Sequence, residues 1–115
     1  MAVRLIALAS IVGVAAFLIV LATMTGGGRH GQNPAVQRGR QIYVSTCIAC
    51  HNGDPSLDGA VGPAVKGASK ALLEARLAKA EYPPGYAPKR ATHLMPAQPQ
   101  LVASVDDLAA FLNAP

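Results

Sequence analysis

The chain's only two cysteines stand three positions apart and a histidine follows the second, in Cys47-Ile48-Ala49-Cys50-His51. C-x-x-C-H is the attachment pattern of c-type haem. The spacing has a chemical reason: two thiols add across the two vinyl groups of one porphyrin, and the adjacent imidazole is carried to the iron from one face. One such motif implies one haem. Nothing else in the sequence constrains the fold as strongly, because the chain must wrap a macrocycle bonded to it at this point.

Three other readings use the same residues. A thioredoxin-like dithiol needs a βαβ setting that lowers the pKa of the first thiol, and no buried-strand pattern precedes Cys47. A structural zinc site needs four ligands at paired spacings, whereas the remaining histidines, His30 and His93, form no H-x3-5-H pair. A plain disulfide in a secreted protein accounts for the cysteines and leaves the placing of His51 to chance.

The 115 residues allow one small domain once a membrane segment is subtracted. A domain of that size is marginal without a staple. A covalent haem would be one, and the sparse aromatics, with no Trp, two Phe and three Tyr, fit a core filled by something other than side chains. Hydrophobic residues make up 51% of the chain but are concentrated at its start. Residues 5–22, LIALASIVGVAAFLIVLA, carry no charge, and residues 23–25 extend the run to about twenty residues, the length of a bilayer-spanning helix. With Arg4 before it, this run predicts a single N-terminal transmembrane anchor over 1–25, inserted N-in and C-out.

A cleaved signal peptide is the alternative. Small residues follow the run, but without an A-x-A pattern, and the apolar stretch exceeds a usual signal core, which favours an uncleaved anchor. Gly13, Ala15 and Ala16 leave a face on which another transmembrane helix packs. Residues 26–33 read as a Gly-rich flexible linker, with His30 solvated inside it. Residues 34–115 then form the haem domain. The net charge of +4 suits an acidic docking partner, and the absence of a dense Lys/Arg run speaks against nucleic acid.

Within the haem domain, Asn33-Pro34 is a helix start, and Val36, Gly39 and Tyr43 share one face. Gly39 in a helix interior costs about 1 kcal/mol against alanine, which predicts the close approach of a second helix. That helix is expected at the C-terminus, with Ser104 and Asp107 as a capping box, an apolar stripe of Val105, Leu108, Ala109 and Leu112, and Phe111 facing the Gly39 notch. Between them, Ser69 caps a helix over about 70–80, with Leu73, Leu77 and Ala80 inward and a Lys70–Glu74 pair outside. Lys66, Lys70, Arg76 and Lys79 read either as a basic docking face or as the solvated side of that helix. Pro83, Pro84, Gly85 and Pro88 enforce an extended loop, in which Tyr82, Tyr86, Lys89 and Arg90 are candidate donors to haem propionates.

Read in order, these motifs resemble the class I cytochrome c family over about residues 33–115. The segment Gly39-x-x-x-Tyr43-x-x-x-Cys47-x-x-Cys50-His51 is similar to the family's first helix running into the haem site. Gly62-Pro63-Ala64-Val65-x-Gly67 resembles its G-P-x-L-x-G turn. The resemblance implies an all-α, small cytochrome c fold around one covalent haem c, preceded here by the single transmembrane helix. It implies that the Pro63 carbonyl orients His51 and raises its basicity. It also implies haem attachment outside the bacterial cytoplasm, so that the domain sits on the periplasmic or outer face of the inner membrane.

The three methionines are Met1, Met24 at the membrane boundary, and Met95 in His93-Leu94-Met95-Pro96. Met95, in a Pro-rich loop before the last helix, is similar in place to the family's distal iron ligand. A thioether raises the potential relative to two imidazoles. His93, two residues away, is its rival. With His51 and Met95 on iron no site is left for substrate, which predicts outer-sphere electron transfer and no reaction of the chain's own. Expected partners are a quinol-oxidising complex, a terminal oxidase or a photosynthetic reaction centre, with the lipid bilayer through residues 5–25. The short linker tilts the reading toward a fixed subunit rather than a tethered carrier. The alternatives are a haem sensor or peroxidase-like protein in which Met95 leaves the iron, and a mainly structural subunit fastened by its anchor.

Overall fold

The structure, a computed structural model, describes residues 33–115. The anchor, the Gly-rich stretch before Asn33 and His30 lie outside the described residues. Asn33 starts the first helix as expected: its side-chain oxygen accepts the Ala35 N–H at 2.9 Å, and Pro34 occupies the first turn, where an N–H has no helical partner. Helix α1 runs Pro34–Ile42. It continues as a widened π turn, Tyr43–Cys47, instead of passing into the cysteine motif as regular helix. Such turns carry no sequence marker and recur at functional sites.

Helix α2, Lys70–Lys79, is capped by Ser69 Oγ, which accepts the Leu72 N–H at 3.2 Å. It stops where Ala80 takes a left-handed conformation at φ 57°, a strained posture for a residue with a Cβ. A 3-10 turn, Pro99–Ser104, leads directly into helix α3, Val105–Leu112. The expected capping box does not form. Ser104 lies at φ −104°, ψ 10°, outside the extended conformation from which an N-cap side chain usually reaches back, and its side chain bonds no amide; the 3-10 turn runs straight into the helix, Val105 N–H bonding Val102 O. Asp107 is engaged elsewhere, accepting Arg38 Nε at 2.8 Å and Nη2 at 2.9 Å.

That fork ties α3 to α1 at the crossing that Gly39 makes possible. A Cβ at residue 39 would lie 1.9 Å from the Asp107 carbonyl oxygen and 2.8 Å from Phe111 Cβ. The notch is real, and its deepest contact is the Asp107 main chain rather than the Phe111 side chain. Phe111 packs instead on Tyr43, ring centroids 5.4 Å apart. Lys70 bridges α2 to α3 through Asp106 at 2.7 Å, and its expected partner Glu74 stands at 3.9 Å.

The buried apolar residues among those described are Tyr43, Ala68, Leu77, Val105, Leu108 and Leu112. This is a thin core, and Tyr43, Ala68, Leu77, Leu108 and Leu112 all border one cavity of about 420 Å³. The fold is all-α as expected: the described residues hold three α-helices and no strand. No helix among them is long and apolar enough to cross a membrane.

Candidate functional site

The cysteine motif folds around a single carbonyl. Cys47 O, at the end of the π turn, accepts the Cys50 N–H at 3.2 Å and the His51 N–H at 2.9 Å, so both thiols and the imidazole leave one tight turn. Cys47 is half-buried, Cys50 is exposed, and both are free. Burial pushes the Cys47 thiol above its ordinary pKa, the reverse of what an attacking redox thiol needs. Tyr43 lies beneath the motif, buried, with its hydroxyl donating to Asn52 O at 2.6 Å. Burial raises its pKa as well.

The chain after His51 folds back on the motif. Cys50 O accepts the N–H groups of Val61 at 3.2 Å and Gly62 at 2.9 Å, and Pro55 O accepts those of Val65 and Lys66, both at 2.8 Å. Gly67, at φ 79°, turns the chain in the way only glycine does easily, and its N–H reaches the end of α3 at Leu112 O, 2.9 Å.

Gly62 lets the backbone lie against the imidazole: a Cβ there would stand 2.5 Å from His51 Cε1. His51 Nδ1 is 2.8 Å from Pro63 O. A carbonyl only accepts, so Nδ1 carries the hydrogen and Nε2 keeps its lone pair for a metal. The Pro63 turn is braced by Asp58, whose carboxylate accepts the Ala64 N–H at 2.7 Å and lies 3.3 Å from Arg90. The Ala64 amide, and then Arg90, hold that carboxyl below the usual carboxylate range.

Met95 is half-buried and lines the same cavity as Cys47, Cys50, His51 and Pro63. His93 does not line it; it is exposed and sets its ring edge on Tyr82, centroids 6.4 Å apart. Tyr82, Tyr86, Lys89 and Arg90 do border the cavity. The two cations are already used on the chain after His51, Lys89 donating to Ala64 O at 2.8 Å and Arg90 to Val61 O at 3.2 Å.

Of the four basic residues Lys66, Lys70, Arg76 and Lys79, the lysines are exposed and Arg76 is not. Lys66 donates to Ala114 O, Lys70 pairs with Asp106, and Arg76 is buried, 7% exposed. Arg76 was missed as an inward residue, although Leu73, Arg76, Leu77 and Ala80 follow the i, i+3, i+4, i+7 spacing that marks one helix face.

The residues fit a haem c. The cavity falls in the size range of ligand pockets. It is bordered by Val65, Leu72, Leu73, Leu77 and Leu108, and lined by two unbonded cysteines, a histidine oriented through Nδ1, and a thioether. Among the described residues no three His, Cys, Asp or Glu side chains converge on one point. No curated protein and no solved structure matches the chain. The model of the family described as cytochrome C oxidase, cbb3-type, subunit III matches residues 34–112, more than half of it.

Proposed function

The chain belongs to the family of cytochrome C oxidase, cbb3-type, subunit III, and from that premise we propose that it is a membrane-anchored monohaem subunit passing single electrons within a terminal oxidase complex. The family carries a covalently attached haem c and acts in electron transfer. Bound haem supplies an iron that gains and loses one electron without bond rearrangement.

Every other part of the task falls to the chain. Cys47 and Cys50 would hold the porphyrin as thioethers. Pro63 O holds the His51 Nδ1 hydrogen, which fixes the ring, raises the basicity of Nε2 and would leave that nitrogen to bind iron. The observation that supports this most is that hydrogen bond, 2.8 Å long, with Met95 bordering the same cavity. Met95 would give a soft, neutral ligand that favours the reduced state. Leu72, Leu73 and Val65 supply the apolar wall that keeps water out.

Residues 1–25 are the anchor, 26–33 the linker and 34–115 the haem domain on the periplasmic or outer face. A linker this short reaches about 15 Å and keeps the domain beside its complex. Electrons then arrive from a quinol-oxidising complex, directly or through a carrier. The test is a haem-stained native gel of the source membranes in mild detergent. The chain should run in a large band with other redox subunits; a small band containing it alone would replace the subunit reading by a tethered carrier.

A second reading, a sensor or peroxidase-like protein that opens its iron, draws support from the loop that carries Met95. From Ala87 to Ala97 no main-chain amide donates to another main-chain group among the described residues. Carbon monoxide binding to the native reduced protein would favour it.

A further inference from the structure

We infer that Arg76 is a positioning residue for the sixth iron ligand, its buried guanidinium fixing the Met95 loop to helix α2; the inference rests on Met95 being that ligand. Arg76 is the one buried charged residue among those described. The ion pairs of the described residues are Arg38–Asp107, Lys70–Glu74, Lys70–Asp106 and Arg90–Asp58, so no acidic side chain among them pairs with it. A buried cation without a counter-charge is unfavourable unless dipoles replace its water.

Here two carbonyls and an aromatic face replace it. Nη1 donates to Ala80 O, Nη2 to Met95 O at 3.3 Å, and Cζ stands 4.4 Å from the centroid of the Tyr82 ring, a cation–π contact. The two carbonyls mark the start and the end of the loop that leaves α2 and returns to the cavity. The planar fork of arginine spans both at once, which the single nitrogen of lysine does less well.

Elsewhere the loop is tied by Lys89 to Ala64 O and by Arg90 to Val61 O and Asp58, five or more positions before Met95, which itself packs on the edge of the core. The loop's turn closes early, at Tyr86 N–H to Pro83 O, 3.1 Å, and the next main-chain bond comes only at Gln98 N–H to Leu77 O, 2.7 Å. Tyr82, stacked on Tyr86 at 5.4 Å and 7° and edged by His93, presses on the guanidinium from its other side. Arg76 is thus the side chain bonded to Met95's own main chain, placed to hold its thioether toward the cavity.

The test uses the full-length haem-loaded protein and its Arg76→Met, Arg76→Lys, Tyr82→Leu and Met95→Ala variants. Read for each are carbon monoxide binding to the reduced form, the methionine–sulfur charge-transfer absorption of the ferric form, and the thermal midpoint. Losing a charge-assisted hydrogen bond should raise the carbon monoxide-reactive fraction roughly tenfold or more in Arg76→Met. Arg76→Lys and Tyr82→Leu should fall between it and the wild type. A purely structural arginine would lower the midpoint and leave carbon monoxide binding and the sulfur band unchanged, and that result overturns the inference. If Arg76→Met fails to fold, Arg76→Lys decides alone, and wild-type closure in it overturns the inference. Met95→Ala separates the two levels: if it stays six-coordinate and closed, the ligand reading fails; if it opens while the Arg76 variants stay closed, only the inference about Arg76 fails.

Discussion

Two stretches of chain border the cavity, and they are held by different means. From Gly59 to Ala68 nearly every amide donates, Gly59, Val61, Gly62, Val65, Lys66, Gly67 and Ala68 to main-chain carbonyls and Ala64 to Asp58. From Ala87 to Ala97 no main-chain amide donates to a carbonyl among the described residues, and the stretch is tied by side chains, Lys89 and Arg90 on the chain after His51 and Arg76 at Met95. The histidine side is therefore fixed by backbone, which few substitutions alter, while the methionine side depends on side chains. A ligand that must never leave belongs on the first; a ligand whose bond sets potential and access belongs on the second.

The comparison breaks most sharply at Gly62. Gly62→Ala puts a methyl 2.5 Å from the His51 ring, and neither the ring, tied to Pro63, nor the bonded backbone gives way easily. We expect a loss of about 3 kcal/mol together with poor haem incorporation, measured by thermal unfolding and haem-to-protein ratio. A normal spectrum and midpoint would show that the rigid side is not rigid.

Met95→Ala should do the opposite, leaving a folded haem protein whose reduced iron binds carbon monoxide and whose potential falls. A redox titration beside a melting curve measures both. An unfolded product would mean that the methionine side carries as much of the structure as the histidine side.

Hydrogen exchange sharpens the contrast without mutation. The amides of Val61 and Gly62 should exchange at least about tenfold more slowly than those of Thr92 and Leu94, since bonded backbone must open first. Equal rates would erase the distinction.

The smallest effect is expected at Asp58→Asn. The native carboxyl is held below its ordinary value by the Ala64 amide and Arg90. Its stabilising contribution is then present above the unfolded aspartate pKa of about 4 and is lost as pH falls through the lower folded value. The variant should melt slightly below wild type at neutral pH, and the difference should vanish in strong acid. A gap that persists there would remove the carboxylate charge as its cause.

Much of the site was legible because its chemistry is local. Cys47, Cys50 and His51 lie within one turn and Gly39 announced a helix crossing, while the Gly62–Gly67 segment was legible only as a resemblance to a family turn, the close approach at Gly62 and the left-handed Gly67 being shown by the structure. Less legible were features whose partners lie far along the chain. Ser104 and Asp107 have the spacing of a capping box, but Arg38, sixty-nine positions away, takes the carboxylate. The π turn over Tyr43–Cys47 has no residue that marks it.

The sequence by itself determined what is attached and where, because covalent spacing and adjacent residues set that chemistry within a few bonds. Only the tertiary structure decided which charges serve the surface and which serve the site. Lys70 reaches across to Asp106, Lys89 and Arg90 bind the chain after His51, and Arg76 turns inward to Met95. A charged side chain goes where its solvation can be replaced, and the carbonyls and rings that replace it are assembled only when distant segments meet.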